Sequence, residues 1–466
     1  MLSQLSLKYI RSLNRFMSDD NNNNNNNNFV KCYEFILNIF NKTNKHFEYN
    51  KNQICNYKKI HSKRMPISYY IIKLMHETKK LDKITNLDSS IIIQMLSGTL
   101  IDFSHIYSQH NQSINVEKIE NIISKYCSRI QYHNVYNEFN IFRNNLFLSQ
   151  RIIHYIETTD LIKINVNIDN IQIDIYSEYC IDNIDNLINI NNIIIYCKFF
   201  QNLRNNYKNI HLILIPTRFK KEIYNNNKSL FTVDNINSGS TCINEYILIW
   251  RLEELEKVLI HELIHYFNID TLMINRIKNY YLEKFIFIGS DVVIESLTES
   301  IAIILFSFFN SFNLKNFDEI GINKFMSLFE IECKFSLYQC SKLLFNLGLK
   351  KFKQIYKTYD TDDDGINVTI DLYTSIFSYH IIKSALLYNN NDLFGFIHDF
   401  CLRMVHIDID DKTSNFLNLV KKSIKNKIYV SKIDNLLCNI DIDKHFDKLI
   451  INTLRMSCVE VIKYKI

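Results

Sequence analysis

The sequence predicts an α+β fold that is mostly helical and contains one small mixed sheet. Two patterns lead to this prediction. Short runs in the middle of the chain alternate apolar and polar residues, as half-buried strands do, and longer apolar runs at helical spacing surround them. Apolar residues make up 47% of the 466 positions, enough to bury one large or two ordinary cores.

The predicted strands begin in the central part of the chain. Isoleucine and valine alternate with polar residues over 164–168 and again over 171–175, so each run predicts a strand. Residues 184–204 predict a helix. The apolar run 210–215 predicts a buried strand that Pro216 ends.

Two more predicted strands follow, at residues 231–233 and 246–250. They lie on either side of a loop that contains Asn237, Ser238 and Gly239, residue types that favour turns. The predicted order is therefore strand, helix and strands, and an apolar helix comes next.

The domain boundaries follow from composition and pattern. An asparagine run ends at residue 28, so residues 1–28 are predicted to be a disordered, low-complexity tail. Residues 29–160 and 313–466 are predicted to be N-terminal and C-terminal helical regions. The sheet and the two helices described next would form a central domain over residues 161–312.

The most informative motif of the chain is His261-Glu262-Leu263-Ile264-His265. Side chains four positions apart lie on the same face of a helix, so both imidazoles can reach one ion. Zinc suits two imidazoles, and a hydrolytic zinc site needs three protein ligands and a water molecule. Glu262 lies beside the histidines and is predicted to take a proton from that water without binding the metal.

The residues before the motif predict a buried helix. Leu255, Leu259 and Leu263 recur at helical spacing, and no glycine or proline interrupts the run. A core helix with hydrogen-bonded histidines is the alternative to a metal site, because a buried histidine without a partner is costly.

A glutamate on the next apolar helix is the candidate third ligand. Residues 291–302 form an apolar run that carries Glu295 and Glu299 one helical turn apart. Glu295 lies 30 residues after His265 (295 − 265), which leaves room for a connection between two packed helices. Glu295 can complete a site of two histidines and one glutamate, and Glu299 could bind the far nitrogen of a ligating histidine. The choice between the two glutamates stays open, and a solvated helix face is the alternative for both.

With these residues the chain resembles the gluzincins, zinc metallopeptidases in which a glutamate on a following helix completes HExxH, often as E-x-x-x-D/E. Glu295 matches the ligand of that pattern, and Glu299 matches the acid behind the histidine. More narrowly, residues 237–239, 251–254 and 257–262 resemble metallopeptidase-like proteins of giant DNA viruses of amoebae. The resemblance extends from the strand near residue 164 to Ala302, with a short stretch near Tyr379.

The resemblance implies a zincin-like catalytic domain over residues 161–312. In such a fold the edge strand beside the cleft pairs with an extended peptide. A hydroxyl or imidazolium that stabilises the oxyanion is usual opposite the zinc. Tyr379 is the candidate for that group and His380 the neighbouring one; an ordinary aromatic residue on a core helix is the alternative.

Residues 360–371 copy the first half of a calcium loop. The twelfth position is Asp371 instead of a bidentate glutamate, and Asn367 stands where an apolar residue normally packs. An acidic surface turn is therefore the preferred interpretation over a calcium site.

Composition argues against several other classes. The 11 cysteines, an odd number without CxxC, predict reduced thiols in an intracellular protein, cytoplasmic or in a virion. Lys8, Arg11 and Arg15, with no acid among the first 17 residues, leave a mitochondrial presequence as the lesser alternative. A net charge of +5 gives no support for nucleic-acid binding, and the apolar stretch after Glu299, about a dozen residues, is too short to span a membrane.

The expected function is zinc-dependent hydrolysis of a peptide or protein substrate. His261, His265 and Glu295 would hold Zn²⁺, and Glu262 would act as the general base. The competing class is a catalytically silent protein that keeps the zincin fold as a binding or virion-structural module. A helical scaffold without metal is the third possibility.

Overall fold

The structure is a computed structural model and describes the following residues: 27–44, 57–58, 142, 145, 147–159, 161–178, 187–223, 232–270, 285–289, 292–311, 321–356, 370–372, 374–402, 409–439 and 453–459. By its contacts the chain divides into two compact units, Met1–Lys58 with Lys163–Ile466, and Lys59–Ile162. The predicted tail 1–28 and helical region 29–160 lie mostly outside the described residues, as does most of the acidic turn 360–371.

A six-stranded mixed sheet forms part of the first unit, as predicted for an α+β chain. Its strands are β1 (Tyr57–Lys58), β2 (Ile162–Ile168), β3 (Ile171–Ser177), β4 (Ile210–Thr217), β5 (Gly239–Cys242) and β6 (Tyr246–Arg251). They lie in the order β1-β2-β3-β4-β6-β5. The neighbours β3, β4 and β6 run parallel, whereas β5 is antiparallel to β6 and ends the sheet among the described strands.

Three details of the predicted strands are wrong. Gly239, predicted to lie in a loop, begins β5, which was not predicted. Pro216 does not end β4, which continues to Thr217 with a shift of register between Leu214 and Thr217, where proline has no N–H to donate. Val233 begins a one-turn helix, Val233–Ile236, instead of belonging to a strand. The Asn235 side chain accepts hydrogen bonds from the backbone N–H and hydroxyl of Thr232, which favours a helix start over an extended chain.

Helices account for most of the described residues. Up to residue 311 they are α1 (Asn27–Asn44), α2 (Gln150–Thr158), α3 (Ile190–Arg204), α4 (Val233–Ile236), α5 (Leu255–Tyr266) and α6 (Glu295–Ser311). The second unit contains α2, whose first turn is capped by the Ser149 side chain. The predicted helix 184–204 is confirmed from Ile190, with Asn189 as its N-cap.

The remaining helices lie in the region that was predicted to be helical. They are α7 (Gly321–Asn346), α8 (Lys383–Tyr388), α9 (Asn390–Phe396), α10 (Ile409–Ile424) and α11 (Lys427–Asn439), with π-helical segments at Phe377–Ile382 and Ile397–Leu402. A short parallel pair, β7 (Phe287–Gly289) and β8 (Ile370–Leu372), joins two parts of the chain that lie far apart in sequence.

The core centres on α5 and α6. Both helices are buried on nearly all sides, as expected from apolar residues all around the helix. Helix α5 packs against α6, α3 and strands β5 and β6, so the sheet and the helical region share one core.

A segment without regular secondary structure, Thr453–Val459, runs buried through this core near the start of α5. Side chains hold its backbone. One carboxylate oxygen of Glu254 accepts from the N–H groups of Met456 and Ser457, and Glu332 accepts from those of Cys458 and Val459. Among the described residues, the segment therefore pairs with backbone only at its start, where Thr453 forms an antiparallel bridge with Glu222, and with carboxylates from Met456 onward.

Within the described residues, every helix is too short or too polar to pass through a lipid bilayer.

Candidate metal centre

Helix α5 is fixed at the end that carries the second histidine. Asn268 adopts a left-handed conformation (φ 53°), and the N–H groups of Asn268 and Ile269 donate to the carbonyls of His265 and Ile264. This is a Schellman motif, which reverses the chain after the helix. The Arg204 side chain also donates to the carbonyl of Phe267, so a cation lies at the negative end of the helix dipole.

The motif brings three candidate ligand atoms together. The two Nε2 atoms of His261 and His265 lie 3.1 Å apart, and Glu295 Oε2 lies 3.3 Å from the first and 3.5 Å from the second. A tetrahedral zinc ion with bonds of about 2.05 Å spaces its ligand atoms about 3.3–3.4 Å apart. The three donors therefore already have the spacing that the ion requires.

The far nitrogen of each histidine contacts a buried carboxylate. His261 Nδ1 is 2.8 Å from Glu299 Oε2, and His265 Nδ1 is 2.7 Å from Asp270 Oδ2. A proton on each Nδ1 leaves the Nε2 lone pairs free to face the ion. Asp270 is held in turn by the hydroxyl of Thr298, which donates at 2.5 Å.

The two glutamates of α6 occupy different positions. Glu295 directs one oxygen at both histidines and accepts a hydrogen bond from the Tyr379 hydroxyl at 3.1 Å. Glu299 has one oxygen on His261 and the other on the ammonium of Lys257, at 2.6 Å. Because both oxygens of Glu299 are engaged, Glu295 is the better placed of the two for a metal ion.

The electrostatics of the group favour cations. Burial disfavours charge on His265, yet the carboxylates of Asp270 and Glu295 outweigh it and raise its pKa well above the usual range. The pKa of His261 is raised in the same way, against burial, by Glu295 and Glu299. Burial also opposes charge on Glu295, but the two histidines lower the pKa of its carboxyl group.

A count of formal charges gives the same result. Four carboxylates form this group: Glu262, Glu295, Glu299 and Asp270. Two ammonium groups, on Lys257 and Lys383, lie within 4 Å of Glu299. With neutral histidines the sum is −2 (−4 + 2); protons on the two histidines balance this charge in the metal-free chain, and one divalent cation could take their place.

Glu262, the predicted general base, lies between α5 and the edge strand. Its Oε2 accepts a hydrogen bond from the Thr241 hydroxyl at 2.8 Å, and burial raises the pKa of its carboxyl group. Strand β5 approaches this side chain at Gly239, where a Cβ atom would stand 2.7 Å from Glu262 Oε1. Only a glycine leaves room for the carboxylate at this position.

Strand β5 also offers backbone groups that β6 does not use. The N–H of Trp250 donates to the carbonyl of Ser238, and the antiparallel register continues from Gly239 to Cys242. Backbone groups alternate in direction along an antiparallel strand. Those of Gly239 and Thr241 therefore face away from β6, on the side where the described strands end.

Of the two candidates near residue 380, the structure brings only one to the histidines. The ring centroid of Tyr379 lies 6.0 Å from that of His261, whereas His380 is fully buried and, among the described residues, neither of its ring nitrogens has a hydrogen-bond partner. Both residues belong to the π-helical segment Phe377–Ile382, and such segments are frequent at functional sites.

Sequence reasoning missed three residues of the site: Asp270, Lys257 and Thr241. The asparagine at position 268 is the available signal for Asp270, because an asparagine after a helix favours the left-handed turn that brings the chain back. No local pattern identifies Lys257, whose partner lies 42 residues away.

Comparison of the chain with family models, with curated proteins and with solved structures finds no match.

Proposed function

We propose that the chain is a zinc-dependent metallopeptidase of the gluzincin type. The observation that carries the proposal is the convergence of His261, His265 and Glu295. The Nδ1 atom of each histidine also contacts a buried carboxylate. A histidine that binds zinc usually donates its other ring N–H to a carboxylate or another acceptor. Once the two histidines are neutral, the group carries a net charge of −2, which one divalent ion would balance.

When bound, zinc would polarise the peptide carbonyl and activate the attacking water. Glu262 would accept the proton of that water and pass it to the leaving amine. Its raised pKa supports this role, because a general base works best when its pKa lies near the working pH.

Tyr379 would donate a hydrogen bond from its hydroxyl group to the oxyanion. Burial, together with the nearby carboxylates, raises the pKa of this phenol well above its usual range, so the hydroxyl stays a donor. The outward backbone groups of Gly239 and Thr241 would pair with an extended peptide. The substrate would thus lie along β5, next to Glu262.

Two measurements test the proposal. Purified protein should carry about one zinc ion per chain by elemental analysis, and His265→Ala should remove it. Glu262→Gln should keep the zinc while peptide hydrolysis falls by about 10²-fold or more, the usual size of general-base help. Glu330→Gln, the same change at an exposed position of α7, should alter neither and is the matched control.

Other results would count against the proposal. Stoichiometric zinc in His265→Ala would move the metal to another site. Equal hydrolysis by Glu262→Gln and wild type would remove Glu262 from the mechanism. A zinc-loaded wild type that cleaves no member of a peptide library would instead favour a catalytically silent binding module.

A further inference from the structure

Lys257 is a buried cation one helical turn before the first histidine. Only 1% of its surface is exposed, and its Nζ atom lies 2.6 Å from Glu299 Oε1. Residues four apart on a helix share a face, so Lys257 and His261 both project from α5 towards α6. Lys257 contacts Glu299 Oε1, and His261 contacts Glu299 Oε2.

The ammonium of Lys257 is itself held in place. Met456 lies against it, with the thioether sulfur 3.7 Å from Nζ. The carbonyl of Met456 accepts a hydrogen bond from Lys383, whose ammonium lies 3.8 Å from the same Glu299 oxygen. Both lysines that surround Glu299 are thus in contact with one residue of the buried segment Thr453–Val459.

These contacts form a continuous chain towards the metal centre. Met456 and α5 fix Lys257, Lys257 fixes Glu299 Oε1, and the planar carboxylate then presents Oε2 to His261 Nδ1 at 2.8 Å. Without the ammonium, Glu299 loses its closest cation in a buried environment. A carboxylate that has lost this partner is free to turn away from the imidazole.

We propose that Lys257 is a positioning residue of the metal centre, which acts through Glu299 to aim His261 Nε2 at the ion. The role rests on the metal binding of the proposed function, and it does not require that the chain cleave peptides. Its test therefore measures metal binding.

The experiment is a double-mutant cycle on zinc affinity with Lys257→Met, Glu299→Gln and both together. Glu299→Gln should weaken zinc binding by about 10- to 100-fold, and Lys257→Met by about 10-fold. If Lys257 acts only through Glu299, the double variant should bind zinc as Glu299→Gln does, because coupled substitutions do not add. The visible spectrum of the cobalt-substituted protein, which reports ligand geometry, should change in Lys257→Met.

Lys163→Met is the matched control. Lys163 lies on β2, and its ammonium is 3.2 Å from the buried carboxylate of Asp174, whose other partners are the sheet residues Asn165, Gln172 and His211. This variant should lose thermal stability, as any broken buried pair does, but its zinc affinity and cobalt spectrum should match wild type. Loss of affinity in both lysine variants would mean a general loss of structure and would overturn the proposal.

The remaining outcomes are also decisive. Wild-type zinc affinity in Lys257→Met, or additive losses in the double variant, would overturn the role of Lys257. If Lys257→Met does not fold, the double variant, which leaves neither charge unpaired, is compared with Glu299→Gln, and a further loss of affinity overturns the proposal. A wild type that binds no zinc refutes both this role and the proposed function, whereas zinc binding without hydrolysis refutes only the function.

Discussion

Gly239→Ala tests how closely the edge strand and the general base depend on each other. The added methyl group would stand 2.7 Å from Glu262 Oε1, 2.8 Å from Val258 Cγ1 and 2.9 Å from Glu262 Cγ. Contacts this short do not persist, so a side chain must move. The Glu262 carboxylate is the mobile end of a flexible side chain, and we expect it to give way first.

The size of the effect follows from that distance. Ordinary contact begins at 3.4 Å, so the carboxylate must shift by 0.7 Å or more (3.4 − 2.7). A misplacement of about 1 Å in a reacting group costs up to about 10²-fold in rate. We expect kcat/KM for peptide hydrolysis to fall by about 10- to 10²-fold while zinc content is unchanged, since the three atoms nearest the new methyl group belong to Glu262 and Val258, neither of which is a proposed ligand.

The assay is peptide hydrolysis by zinc-loaded protein, with zinc measured in the same sample. Gly395→Ala is the control, because the atoms nearest its methyl group would belong to the Asn28 side chain, the closest at 3.0 Å, and neither residue belongs to the metal centre. Wild-type kcat/KM in zinc-loaded Gly239→Ala would refute the placement of Glu262 as general base. Loss of zinc would show that the methyl group acts on the ligands instead.

Three further predictions concern the metal. Glu295→Ala should abolish tight zinc binding and Glu299→Ala should weaken it by about 10- to 100-fold; the reverse order in zinc titrations would exchange their roles. Asp270→Asn should weaken zinc binding by a similar factor, because an amide holds His265 Nδ1–H less strongly than a carboxylate does; an unchanged dissociation constant would contradict this. Carboxylates raise the folded-state pKa of His261 and His265 against burial, so these histidines stabilise the metal-free chain fully below their unfolded pKa of about 6.5, and that stability is lost as pH rises through the raised values. Zinc must displace the same protons, so its affinity should rise with pH over that window in chelator-buffered titrations, and a flat profile would exclude these histidines as ligands.

The sequence predicted the parts of the site that helical geometry determines. Two histidines four positions apart must share a face of α5, and the E-x-x-x-E spacing separates the glutamates of α6 by one turn. Strands with clear alternation, such as β2 and β3, were predicted for the same reason. In each case neighbours in sequence decide the structure.

The parts that were missed depend on contacts distant in sequence or on backbone turns. Asp270 reaches His265 only because the Schellman turn at Asn268 reverses the chain. In the sequence, nothing distinguishes Lys257 from other lysines on helices, because its partner Glu299 lies on α6. The helix at Val233, predicted as a strand, is stabilised by Arg251, which donates to the carbonyl of Asp234. Propensity alone does not contain such information.

The buried segment Thr453–Val459 also determines when during folding the core can close. Glu254 receives its N–H donors from residues 202 and 203 positions later in the chain, and Glu332 from residues 126 and 127 positions later. Contacts of such long range form late, because closing long loops costs entropy before any contact repays it. While the ribosome is still synthesising the chain, helix α5 emerges well before the segment Thr453–Val459 that packs near its start. Glu254, at the start of that helix, therefore receives these two backbone donors only after Ser457 has been added, and we expect the buried surroundings of Lys257 to form late in folding.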